Sequence, residues 1–295
     1  MRSITTADNA AGLHLVEAAH GTLDESDLYA YGLRLGTHCL LDRRWKRGMK
    51  FLVQPIPYWR SLEYRLVWKH AAFTREDRIL DVGSPKLLSI YLAERIQAEV
   101  ISTDIDPYFV EDYRALRRMR HLPEDRFRIE VEDGRQLSYP SNSFSKVYSI
   151  SVIEHIPDGG DARCLAEIGR VLRPGGTCLI TVPFWPTSTE EYRDPNFYWV
   201  GSSTTRPDGR VFFQRRYSLR DLYERLIRPS GLELTTMQFV GEKVMVNARR
   251  EFCQLLTPFT APLDPLVSRL VHTAPAGSPV DLKKPLCAFL ALTKA

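Results

Sequence analysis

Apolar residues between positions 78 and 183 fall in short runs set apart by stretches with helical spacing. The runs predict strands over 78–82, 100–104, 127–130, 146–151 and 177–182. The stretches between them predict helices over 87–97, 107–119 and 160–171, the second opened by Asp106-Pro107 as N-cap and first helical position. Short strands alternating with helices signal βαβ units and a parallel sheet, so the fold class is α/β.

Outside this span the rhythm changes. Residues 1–74 read as mostly helical, broken by Pro55 and Pro57, with an amphipathic helix over 58–68 leading into the first strand. Residues 184–216 carry Pro186, Pro195, Pro207, Gly201 and Gly209 among many aromatics, which predicts an insertion or long loop. Order returns with a helix over 218–227 capped by Ser218, then strands over 232–240 and 285–292. Residues 241–284 between those strands read as a second, partly helical insertion. The expected organisation is an N-terminal helical lid over 1–74 and one domain over 75–295.

Length and composition narrow the class. The chain has 295 residues, 44% of them hydrophobic, enough for one large domain with appendages or two small ones. A net charge of +4 is too weak to argue for nucleic acid without a concentrated patch. Cys39, Cys164, Cys178, Cys253 and Cys287 are scattered, with no C-x-x-C pair, so neither a zinc site nor a disulfide framework is indicated. A reducing cytoplasm is the simplest home. The first twenty residues do not read as a secretory signal, and no apolar run approaches the ~20 residues of a membrane span.

The candidate chemistry sits where predicted strands end. Asp81-Val82-Gly83 turns the first strand into a helix, as in sites that present backbone N–H groups to a nucleotide. Asp104 ends the second strand 23 residues beyond Asp81, close to the ~20-residue offset at which a carboxylate meets ribose hydroxyls. The third strand runs into Glu132-Asp133-Gly134-Arg135, where an acid can accept an adenine amine; Asp-Gly is equally an ordinary turn. The fourth strand leads through Ser149, Ile150 and Ser151 to Glu154-His155, and Pro174-Gly175-Gly176 reads as a turn into the fifth.

In this order, these segments resemble the class I S-adenosylmethionine-dependent methyltransferases of small-molecule type. The resemblance covers about 70–240 and the last strand. It implies a Rossmann-like, seven-stranded, mostly parallel sheet with one antiparallel strand from the closing hairpin, and S-adenosyl-L-methionine as cofactor. By the resemblance, Asp81, Gly83 and Ser84 face the methionine part and Asp104 binds the ribose, with Ile105 beside it. Asp133, Gly134 and Arg135 flank the adenine, and Ser149, Ile150 and Ser151 pass beneath the sulfonium. The chain departs from the family at Pro85 and Leu87 in the glycine turn, and at Ser145, where Asp is commoner.

Methyl transfer from a sulfonium needs alignment more than chemistry from the protein, and neither metal nor covalent intermediate. O-methylation is favoured, with His155 as the candidate base and Glu154 as an orienting carboxylate. A ring-shaped acceptor, aromatic or sugar-like, would meet aromatic and Arg side chains: Tyr58, Arg60, Tyr198, Trp199, Arg215 and Tyr217. The partner is then a small molecule, a homodimer being allowed. A nucleic-acid (RNA) methyltransferase is the first rival, resting on Arg114, Arg117, Arg118, Arg120, Arg126 and Arg128 and on a second basic cluster over Arg43, Arg44, Lys46 and Arg47. Acidic residues interleave with these, which disfavours it. A binding or scaffold protein that keeps the fold without transfer is the second, resting on the altered glycine turn.

Overall fold

A computed structural model describes residues 25–194, 205–243, 261–280, 282 and 284–295. Among the described residues three helices come first: α1 (Glu25–Leu41), α2 (Trp45–Val53) and α3 (Tyr58–Ala71). Pro57, extended at ψ 152°, sets the start of α3, and Ala72 ends it in the left-handed region at φ 46°. Then β1 (Arg78–Val82) leads to α4 (Leu87–Tyr91), which loosens into a π-wound turn over Leu92–Ile96. The chain continues through β2 (Glu99–Asp104), α5 (Pro107–Met119), β3 (Phe127–Val131), β4 (Phe144–Ile150) and α6 (Gly160–Val171). After β5 (Leu172–Pro183) come β6 (Thr189–Arg193) and β7 (Val211–Arg216). The pieces Leu219–Asp221, Leu222–Ile227 and Arg228–Ser230 run on as α7, followed by β8 (Glu233–Gly241), α8 (Asp264–Val271) and β9 (Pro285–Thr293).

Seven strands form one sheet in the order β3-β2-β1-β4-β5-β9-β8. β9 runs antiparallel to both β5 and β8, while β1, β2, β3, β4 and β5 pair in parallel. The strand order reverses between β1 and β4, and ligands of open α/β sheets bind at the carboxyl ends beside such a switch point. Alternate side chains feed two cores. Ile79 packs with Leu35, Leu62 and Val67 of the N-terminal helices, and Leu80 packs with Cys164, Leu165 and Ile168 of α6. The helices before β1 therefore share a core with one face of the sheet.

Some expected boundaries moved. Pro174-Gly175-Gly176 is a bulge within β5 rather than a turn before it: Phe144 pairs with Leu172, but Lys146 already pairs with Thr177. Gly175, at φ +73°, carries that bulge. The segment 184–216 holds a hairpin of β6 and β7. Ser145 lies at the start of β4, away from the carboxyl edge, where its hydroxyl bonds Asp77 at 2.8 Å.

Candidate active site

Gly83 turns the chain out of β1 at φ +72°, and a Cβ there would lie 2.6 Å from Val152 Cγ1. Backbone freedom and close packing both demand glycine. The residues around it are tied to neighbouring strands. Gly83 N–H donates to the Thr103 carbonyl at 3.0 Å. Asp81, fully buried, accepts from Ser84 N–H at 3.0 Å, from the Ser102 hydroxyl at 2.7 Å and, closer still, from the Ser89 hydroxyl. Ser84 Oγ accepts from Ile150 N–H at 2.8 Å, and Ser149 Oγ donates to the Val82 carbonyl at 2.9 Å. Expected at the methionine end, Asp81, Gly83, Ser84, Ser149 and Ile150 instead spend these polar groups on one another and on their neighbours, knitting β1 to β2 and β4.

The side chain that enters this strand edge is Lys86, 2% exposed. Its ammonium donates to the Thr103 carbonyl at 2.6 Å and lies 3.6 Å from Asp81 Oδ2 and 3.9 Å from Asp104 Oδ2. Neither departure noted in the sequence does this. Leu87 packs in the core against α1 near Gly32, and Pro85 offers its carbonyl to Tyr64 at 3.3 Å. Lys86 is a residue that sequence reasoning missed; a lysine lying between two acidic strand ends was the available signal.

The side expected to take the adenosine is more open. Burial holds the Asp104 carboxyl above its usual pKa range, against the opposing pull of Lys86. Ile105 is exposed beside it, and Asp133, Gly134 and Arg135 are half-buried. Asp133 is gripped by its own neighbour: Arg135 Nε and Nη2 donate to it at 2.9 and 2.6 Å, and that bond leads in lowering its pKa. A Cβ on Gly134 would lie 3.0 Å from Cys164 Sγ. Half-exposed carboxylates at two strand ends, with an apolar Ile105 near them, fit a nucleoside. On the side expected to take the methionine part stand Lys86 and Val152.

Past Ile150 the chain takes a left-handed step at Ser151, φ +49°, into a single 3₁₀ turn over Ile153–His155. Glu154 is 1% exposed, and its Oε2 has no hydrogen-bond partner among the described residues. Burial first, and the Glu63 charge with it, push its pKa up to about 8. Glu63 reaches in from α3, accepting from Thr181 Oγ1 at 3.0 Å and from Ser151 Oγ, and pairing with Arg60 at 2.7 Å. Arg60 also donates to the Ile150 carbonyl at 3.1 Å, so its charge is at the site but matched. Glu63 is another residue that sequence reasoning missed, hidden in what read as an ordinary amphipathic helix.

His155 Nδ1 lies 2.6 Å from the Phe213 carbonyl, which can only accept, so Nδ1 carries the proton. Burial holds the imidazole pKa below its usual value, so the ring is neutral near pH 7 and Nε2 carries the lone pair. Nε2 is 3.9 Å from Glu154 Oε1.

The other candidate substrate residues sit in internal networks. Tyr58 is buried, donates to Glu242 at 2.8 Å and stacks on His272. Arg215 and Tyr217 both bond the fully buried Asp161, at 2.8 and 3.1 Å, and Arg225 joins them at 2.8 Å. This knot fastens β7 to α6 and α7. Tyr198 and Trp199 lie outside the described residues.

Residues 80–180 match a family model described as a methyltransferase domain. Over 104 residues the chain is 32% identical to methyltransferase GfsG of Streptomyces halstedii, covering 35% of this chain and 36% of that one. It is 27% identical over 178 residues to phosphoethanolamine N-methyltransferase 3 of Arabidopsis thaliana, covering 59% of this chain and 32% of that one. The chain thus spans about a third of the length of these curated relatives. A solved structure of a putative sarcosine dimethylglycine methyltransferase from Galdieria sulphuraria superposes with a TM-score of 0.51 at 17% identity, over 80% of this chain and 87% of that one. With the sheet order, these likenesses identify residues 80–180 as a methyltransferase domain, within a chain of the class I S-adenosylmethionine-dependent methyltransferase fold.

Proposed function

We propose that this chain transfers a methyl group from S-adenosylmethionine to a small-molecule acceptor, with a hydroxyl of an aromatic or sugar-like molecule as the favoured target. The observation that carries this reading is the neutral imidazole of His155 beside the high-pKa carboxyl of Glu154, one turn past β4 and next to the Gly83 turn. The bound donor supplies an activated methyl on a sulfonium, which leaves alignment, exclusion of water and proton handling to the protein. Asp104 would accept the ribose hydroxyls, Ile105 would cover the base, and Asp133 with Gly134 and Arg135 would rim it. His155 Nε2 would take the proton of the acceptor hydroxyl, the Phe213 carbonyl holding the ring in the useful tautomer. Glu154, largely protonated near neutral pH, keeps negative charge low beside that base.

A small acceptor is supported over RNA by the state of the basic helix. On α5, Arg117 pairs with Glu124 at 2.6 Å and Arg118 with Glu111 at 2.8 Å, and Arg120 at its C-cap pairs with Glu94. Those charges are already matched. The test is a mass search for methylated products among pooled phenols, sugars and lipid-linked metabolites. His155→Ala should slow turnover about a hundredfold while leaving donor affinity unchanged.

Lys86 and Val152 favour a second reading, in which the fold binds a nucleoside without transferring a methyl group. Calorimetry separates the two, because only the transferase must accept the whole donor.

A further inference from the structure

At one corner of the molecule, the turn between α1 and α2 meets the first turn of α5. Arg47 joins the two by pairing with Asp112 and lying over the Tyr113 ring at 4.6 Å. The corner exposes apolar side chains that water does not favour: Leu41 at 78%, Trp45 at 64% and Tyr108 at 65%, with Met49 and Phe109 beside them. Trp45, Tyr108 and Phe109 share a cleft of about 330 Å³ with Lys46 and Lys50. Arg44 is paired with Asp42 at 2.8 Å, but Arg43, Lys46 and Lys50 have no carboxylate partner among the described residues. Desolvation first, and then the charges of Arg47 and Lys46, lower the pKa of Lys50.

We propose that this corner docks on an anionic phospholipid surface. Trp45, Met49, Leu41, Tyr108 and Phe109 enter the headgroup region while Arg43, Lys46 and Lys50 meet lipid phosphates. Amphipathic aromatic rings and cations with long apolar stems suit that boundary. Charge decides against a second copy of the chain, which would set these cations against their equivalents. Exposed Leu41 and Met49 argue against RNA, which gives aliphatic side chains nothing to cover them. A free phosphate would satisfy the cations and leave the apolar residues in water. Because Ile105 and Asp104 directly precede the α5 side of the corner, docking would bring the donor edge close to the lipid surface.

The test is sedimentation of the full chain with vesicles of phosphatidylcholine alone, or with roughly a third phosphatidylglycerol. Partitioning onto the anionic vesicles alone is expected, falling as salt rises, with a blue shift of tryptophan emission. The double variant K46E/K50E should lose roughly tenfold or more of that partitioning. The pair W45A/M49A should weaken it with every charge kept, and circular dichroism confirms that each variant is folded. No binding, equal binding to neutral vesicles, release by inorganic phosphate at matched ionic strength, or tighter capture of RNA would each overturn the proposal. The readout is partitioning, so it stands or fails independently of methyl transfer.

Discussion

Lys86 places a cation between Asp81 and Asp104, at the strand edge proposed to take the donor. Its ammonium bonds the Thr103 carbonyl and lies within ion-pair reach of Asp81 and Asp104, the acid assigned to the ribose. Replacing Lys86 with Ala should raise affinity for S-adenosylmethionine roughly tenfold, since one charge-assisted contact is exchanged for space. Asp104→Ala should lower it at least tenfold, about 1.4 kcal/mol, both changes being read by calorimetry. Glu154 gives a pH prediction. Its carboxyl holds a proton up to about pH 8 when folded, against an ordinary 4.5, so stability falls as pH rises through that window. His272, lowered to about 4 mainly by burial, works the other way, as do His155 and His70, and their contributions fade about a unit above the ordinary 6.5. The Glu154 share of stability should therefore fall by about 1–2 kcal/mol between pH 6.5 and 8, and Glu154→Gln should remove that share in denaturant titrations. At this scale the sequence located strand-end residues such as Gly83, Asp104 and Glu154 but not what their side chains touch. The Lys86 and Glu63 contacts cross from one element to another, and no local spacing records them.

Elements were legible where apolar periodicity was strong. The helices over 107–119 and 160–171 match α5 and α6, because Asp106 caps the first and the core-facing positions of the second repeat cleanly. The region after Pro183 was harder, since its hairpin is held by charge. Asp161, in the first turn of α6, gathers Arg215, Arg225 and Tyr217, and Arg215 also reaches Glu190 at 2.7 Å. Nothing in sequence spacing brings these residues together. Asp161→Ala leaves buried Arg215 with Glu190 alone and Arg225 without its carboxylate, and should cost about 3 kcal/mol in a denaturant midpoint experiment. Because Phe213 in β7 holds His155, the same variant should also slow methyl transfer while donor affinity stays unchanged. At Gly83, Ala must take φ +72° and displace Val152, so a loss of about 1–3 kcal/mol is expected by thermal melting.

The whole molecule is a seven-stranded sheet with α1, α2 and α3 sharing the core of one face and α6 and α7 that of the other. The parallel strands followed from the alternation of strands and helices, whereas the seven-stranded count and the antiparallel strand from the closing hairpin were what the family resemblance implied. The site is assembled from both ends of the chain order: Arg60 and Glu63 from α3, Phe213 from the insertion, and the strand ends between. The central claim is that these strand ends take the whole methyl donor, even with Lys86 lying between Asp81 and Asp104. Calorimetric titration of S-adenosylmethionine into the wild-type chain and into Lys86→Ala and Asp104→Ala tests it most directly. Saturable one-to-one binding, tightened by Lys86→Ala and weakened by Asp104→Ala, is the predicted result. No binding at millimolar donor to either the wild type or Lys86→Ala would contradict it.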